Sequence, residues 1–246
     1  MKLIRVTSWI LISGGTLLVS LSGNAADYQR KTPMQQGIEE KNKKSETAAV
    51  MPVYKPPLRG APGGRVGGGT RAPDRAVFVL TVLAPDHTGL TVREQPSLYW
   101  FISSSTSHPV ELSVVDPRSA KPVLETRIPS PIQPGLHEIR LADHGVRLSP
   151  GVAYRWFVAV VPDPDRRSKD ILSGGAIERV EPPEGFSAKL ARSHKVELPF
   201  LYAEAGFWYD ALTATSELIE TTPNDQGLRR QRASLITQVG LPEIVE

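Results

Sequence analysis

Apolar and polar positions change their rhythm along the 246 residues, and each change marks a different kind of segment. Trp9-Ile10-Leu11-Ile12 and Leu17-Leu18-Val19-Ser20-Leu21 form one apolar block, broken only around Ser13-Gly14-Gly15. A polar stretch follows to Thr47, and 11 of the 24 residues from Pro52 to Arg75 are Gly or Pro. From Ala76 onward, short apolar runs recur between turn residues: Ala76–Leu83, Ser97–Ile102, Val110–Val115, Val123–Ile128, Leu136–Leu141, Ala153–Val161 and Ile177–Val180. Pro85-Asp86 and Asp116-Pro117 punctuate them. Runs spaced by about ten residues, with no helical period between them, predict an antiparallel β-sandwich.

The stretch Leu148–Val158 sharpens that expectation. It resembles the turn and penultimate strand of fibronectin-type and immunoglobulin-like domains, with Tyr154 as the tyrosine of the corner and Trp156 filling the core. After Pro182-Pro183 the period becomes helical. Glu184–Ser193 is a candidate helix, and Leu201–Asp225 resembles a single tetratricopeptide repeat. Gly206 allows close approach at its turn, Trp208 and Ala211 pack one helix on the other, and Pro223 ends the second; Leu218 replaces the usual small residue. A third helix is expected over Leu228–Val239, stopping at Gly240. One repeat cannot bury its own faces, so it is expected to pack on the sandwich. The predicted fold is mainly β with α: an immunoglobulin/fibronectin-like sandwich over 76–183, then a small tetratricopeptide-like hairpin plus one helix over 184–246.

Targeting signals change the reading of the first 75 residues. Lys2 and Arg5, the apolar block, and Gly23-Asn24-Ala25 have the layout of a signal peptide over 1–25, cleaved before Ala26. The block falls short of the roughly 20 apolar residues that span a bilayer. Residues 26–75 are too polar and too rich in Gly and Pro to repay ordering, and are expected to be a disordered leader. The mature chain is thus expected to be exported, periplasmic or extracellular, with no transmembrane segment.

Charge narrows the partners. Removing Lys2 and Arg5 from the 29 basic residues leaves 27 against 26 acidic ones. Residues 26–75 hold 10 basic and 5 acidic, so 76–246 hold 17 basic and 21 acidic. A mildly acidic folded part lacks the basic face that nucleic acid requires. With no cysteine, thiol catalysis, disulfides and Cys-ligated metals are excluded.

Several motifs taken in order resemble a family. Arg59–Arg71, Leu80–Pro85, Gly89-Leu90-Thr91-Val92 with Pro96, Tyr154-Arg155-Trp156-Phe157, Ile177–Val180 and Leu201–Leu212 are similar to the bacterial domain of unknown function 928 family, across about residues 58–242. The resemblance implies an exported protein and assigns no activity, substrate or catalytic residue.

Candidate chemistry is sparse. Gly63 and Gly68 have phosphate-loop spacing and Thr70 fits its last position, but Gly69 stands where the lysine belongs. Asp163, Asp165 and Asp170 share a loop crowded by Arg166, Arg167 and Lys169, which reads as a solvated turn rather than a calcium loop. His87 and His108 read as exposed turn residues. Glu178, Glu181 and Glu184 have the residue type of a glycosidase pair, with no groove implied around them. No catalytic, cofactor-binding or metal-binding residue is assigned.

The aromatics carry the one candidate surface: Tyr99, Phe101, Phe207, Trp208 and Tyr209. Tyr99-Trp100-Phe101 on a strand, and Phe207-Trp208-Tyr209 at a helix junction, cannot all face one core. The outward ones either are buried between sandwich and helices or form a platform for a protein or a sugar. The function expected is a non-enzymatic envelope protein binding a protein partner. The alternative is a module for envelope polysaccharide, or less favourably a hydrolase with a loop-built site.

Overall fold

The computed structural model describes residues 50–57, 65–70, 78–119 and 121–241, all within one compact unit, Ala48–Glu246. The expected signal peptide and much of the expected leader lie outside the described residues.

Nine stretches form strands: β1 Gly68–Thr70, β2 Phe78–Val82, β3 Gly89–Thr91, β4 Ser97–Ile102, β5 Val110–Val115, β6 Pro122–Ile128, β7 Gly135–Arg140, β8 Ala153–Val160 and β9 Ile171–Arg179. They build a four-stranded sheet in the order β1-β2-β4-β7 and a five-stranded sheet in the order β3-β9-β8-β5-β6. All pairings are antiparallel except β3 with β9, which run parallel with Leu90 opposite Glu178. The β5 sequence Val-Glu-Leu-Ser-Val-Val buries alternate residues, as a strand with one face on a core does, and its partner β8 follows the same rhythm from Ala153 to Val158. Side chains of both sheets, Leu80, Trp100, Leu112, Trp156 and Ile177 among them, meet in one core.

Strand β4 is different, because Ser97 to Trp100 are buried in succession. Trp100 sits opposite Val82, whose side chain approaches Gly175 of the other sheet, so Trp100 faces the shared core. Tyr99 therefore points the other way, and that second face is covered by a helix.

Four α-helices follow the strands: α1 Phe186–Arg192, α2 Leu198–Glu204, α3 Trp208–Thr221 and α4 Gln226–Gln238. Gly206, at φ +82°, makes the left-handed turn from α2 to α3, and Pro223 follows the end of α3. Helix α4 begins two residues before the expected Leu228, because the Asp225 carboxylate accepts the Gly227 and Leu228 N–H groups at 2.7 and 3.2 Å. In α3 every residue from Trp208 to Ser216 is buried, as in a helix enclosed on all sides. Among the described residues no helix is long and apolar enough to cross a membrane.

Two stretches within the expected leader are ordered against this unit. Residues 50–57 lie along the helices, and Val66 bridges Gly174 of β9 through reciprocal N–H···O bonds of 2.7 and 2.9 Å. Composition argued against order because it counts apolar residues. What holds these stretches is backbone pairing and a few anchoring side chains.

Candidate binding cleft

The seam between the sheets and α3 is the rigid part of the site. Tyr209 inserts its phenol beside the core, where Trp156 Nε1–H donates to its oxygen at 2.9 Å and its own proton goes to the Ala176 carbonyl at 3.0 Å. Burial pushes this hydroxyl well above the usual tyrosine range. One residue on, Asp210 is fully buried and accepts from Thr91 Oγ1 at 2.9 Å and from the Val92 N–H at 2.8 Å. Arg93 Nε stands 3.5 Å away. Burial pushes the Asp210 carboxyl up to about 6, against the downward pull of the Val92 N–H, Arg93 and Thr91. Asp210 occupies the first turn of α3, where the helix end favours negative charge.

An extended strap crosses the helices beside this seam. The Lys55 N–H donates to the Ala203 carbonyl of α2 at 3.0 Å, and the Tyr54 N–H donates to Gln238 Oε1 of α4 at 2.8 Å. Gln238 Nε2 returns a bond to the Pro52 carbonyl at 2.9 Å. Lys55 Nζ pairs with Glu204 at 3.0 Å. The Tyr54 ring is buried and stacks on His87, with centroids 6.1 Å apart and planes 6° from parallel. With the His87 proton on Nδ1, that N–H donates to the Asp86 carboxylate at 3.2 Å, and Nε2 accepts from the Tyr54 hydroxyl at 2.9 Å. Gly206 is required on this path, since a Cβ at that left-handed position would lie 2.9 Å from the Lys55 carbonyl oxygen.

Beside Pro57 of the strap lies a cleft of about 400 Å³, lined also by Thr88, Leu90, Glu178, Val180, Glu181, Pro183, Ala205 and Phe207. Six of these nine lining residues are apolar. Glu178 comes from the end of β9 opposite Leu90 of β3, and Glu181 from the loop before Pro182-Pro183. Among the described residues, neither carboxylate has an ion-pair or hydrogen-bond partner, and no Lys or Arg lines the cleft. Arg179, between them in sequence, is turned to the Leu148 carbonyl and Glu94.

The five aromatic candidates fall mostly elsewhere than on a free surface. Tyr99, Phe207, Trp208 and Tyr209 are buried within the unit, and Phe101 is half-buried. They do not make an open platform, because the second faces of β4 and of the α2–α3 junction are themselves covered. Tyr99 is held by Glu138 at 2.9 Å, with Thr213 and Ser216 of α3 beside it; Trp208 and Tyr209 belong to the seam. Only Phe207 lines the cleft.

Other expected features resolve one by one. His87 is no exposed turn residue: its side chain is 17% exposed and locked by Tyr54 and Asp86. His108 is exposed. Asp163 pairs with Arg166 and Asp170 with Arg167, at 2.6 and 2.8 Å, as a solvated turn would. Glu178 and Glu181 do share a cleft, which sequence spacing did not imply because Pro57, Thr88 and Phe207 reach it from distant segments. The strap was missed outright; its one signal is the Val53-Tyr54 pair amid prolines.

Residues 66–246 match the family described as Domain of Unknown Function (DUF928). The chain belongs to DUF928. No curated protein matches it. The DUF928 match takes in both cleft glutamates, Asp210 and all four helices, while Tyr54 and its strap precede it.

Proposed function

We propose that this protein is an exported, non-enzymatic interaction protein of the bacterial envelope that holds an extended segment of a protein partner against its helical side. The layout of Met1–Ala25 supports export. The β part reads as an immunoglobulin/fibronectin-like sandwich: β2-β4-β7 lie on one sheet and β9-β8-β5-β6 on the other. The Ser149 N–H, 3.2 Å from the Tyr154 hydroxyl five residues on, has the geometry of a tyrosine corner. The α2–α3 pair turning at Gly206 reads as the tetratricopeptide-like hairpin.

The observation that carries the function is the strap. A proline-flanked extended segment, Pro52–Pro57, is seated by backbone-directed bonds to α2 and α4 and by one buried aromatic. Extended peptides added to a sheet edge are captured with the same division of labour, main-chain bonds for affinity and a side-chain pocket for selection. The sugar-binding reading loses its support, because it needed outward aromatics and four of the five are buried.

The test is cross-linking and affinity purification of mature 26–246 from its native envelope, with linked residues mapped by mass spectrometry. A stoichiometric protein partner linked through the α2–α4 side or the cleft rim is expected. No stoichiometric partner, or links only on the outer face of β5, β6 and β8, overturns the reading.

A further inference from the structure

Strand β6 ends the five-stranded sheet, and only one of its sides is paired. Its ladder runs to β5, and among the described residues no backbone bond links 122–128 to any other element. An open edge of this length is a template for another strand. The other sheet ends differ. Strands β1 and β3 are three residues long, and on β7 the charges are already answered: Arg140 meets Glu138 at 2.9 Å and Glu220 at 3.2 Å.

The side chains of β6 say what would fit beside it. Val123, Glu125 and Arg127 are exposed on the outer face, while Leu124, Thr126 and Ile128 turn to the core side. Arg127 reaches Glu111 of β5 at 3.1 Å, a carboxylate that Arg167 also meets at 2.7 Å. Glu125 lies opposite Ser113 and has no cation partner among the described residues. A second β6 laid antiparallel beside the first, with Thr126 on the two-fold axis, brings Glu125 of each copy opposite Arg127 of the other. Leu124 then meets Ile128, Val123 meets the exposed Pro129, and Thr126 meets Thr126. Every pair is of a stabilising kind: opposite charges, apolar on apolar, hydroxyl on hydroxyl. A one-residue slip would exchange the two faces. A two-residue slip sets Glu125 on Glu125 or Arg127 on Arg127, which repel. One register satisfies the whole edge.

We infer that β6 pairs antiparallel with β6 of a second copy of this chain, joining the two five-stranded sheets across a two-fold axis at Thr126. The contact is isologous, so it closes at two copies. Pro122 and Pro129 bound the ladder, since neither has an N–H to donate. So short a ladder buries little surface, which places the dimer in the weak class, with a Kd of about 100 µM. The edge is distinct from the helical side, and the inference does not rest on the partner proposed above.

Sedimentation equilibrium of purified mature 26–246, from about 10 µM to about 1 mM, tests it. A monomer–dimer equilibrium is expected. E125R and R127E each place like charges opposite one another twice per dimer, and each alone should weaken association at least about tenfold. Mixed in equal amounts they should associate again, because a copy with two arginines then meets a copy with two glutamates. Both positions are exposed, so both variants should melt with the parent. An arm that needs neither uses the absence of native cysteine: under mild oxidation T126C should form a disulfide-linked dimer, and E125C and R127C should not. A monomer throughout the range, a dimer indifferent to E125R and R127E, a mixture that stays monomeric, or a disulfide at 125 or 127 in place of 126 overturns the inference.

Discussion

Of the carboxylates that this protein sets against arginine, Asp210 and Glu111 make opposite use of it. At the seam, Asp210 is buried with Thr91, Val92 and Arg93 around it. On the outer face of the five-stranded sheet, Glu111 sits between Arg127 and Arg167 at 3.1 and 2.7 Å, with both arginines mostly in water. The second arrangement is closer to ideal in distance and is worth less, because water and salt screen it. The first joins two elements more than a hundred residues apart, and its cost of desolvation makes its geometry compulsory. The difference teaches that here the buried polar contacts position the helices, while the surface pairs keep the sheet face neutral.

The comparison breaks most sharply if the seam is emptied. Trp208→Ala is expected to lower the free energy of unfolding by about 3–5 kcal/mol in a denaturant melt, as removal of a fully buried indole does. A loss under about 1 kcal/mol would mean that the helices do not share the sheets' cooperative unit. Tyr209→Phe keeps the ring but leaves the Trp156 N–H and the Ala176 carbonyl unpaired, which should cost about 1–3 kcal/mol.

Asp210 sharpens the comparison through pH. Its carboxyl titrates near 6 when folded and near 3.8 as an ordinary aspartate, so in that window the folded state holds the extra proton. Its contribution to stability is therefore largest below the window and is lost as pH rises through 6. Urea midpoints at pH 4.5 and 7 should show the parent gaining on Asp210→Asn at the lower pH, by up to about 1.4 kcal/mol per unit crossed. Glu111 and Glu138, held below the usual range, slope the other way; being common to both proteins, they cancel. A constant difference would contradict the buried, strained carboxyl.

Smaller effects are expected outside the seam. Tyr54→Ala should speed hydrogen exchange at the Lys55 amide by about tenfold or more while shifting the global melt little, since the strap opens locally. Glu111→Gln should change stability by less than about 1 kcal/mol, and less again in high salt.

What could be read from sequence follows from which contacts are local. Strands β5 and β8 announced themselves by alternation, and α3 by its glycine, aromatic and proline. Strand β9 was seen only from Ile177, although it begins at Ile171. Its missing half holds Gly174 and Gly175, where the period vanishes because a side chain on Gly174 would overlap the Phe157 ring. Strand β3, three residues long, has too few positions to show a period. The consecutive aromatics on β4 signalled correctly that one core could not absorb them. Only tertiary structure determines that Tyr99 meets α3 rather than solvent. The cleft was illegible because its walls come from the strap, β3, β9 and the α2–α3 turn, and no spacing encodes that convergence.

The strap has a consequence for how the molecule is made. Tyr54 is synthesised early, yet its amide rests on Gln238, 184 positions later. Its seat does not exist until α4 has formed, so this early segment is placed only after a much later one. A product cut short before Gln238 would carry residues 50–57 without their seat, and unseated segments are where proteases begin. The strap thereby reports whether α4 is in place.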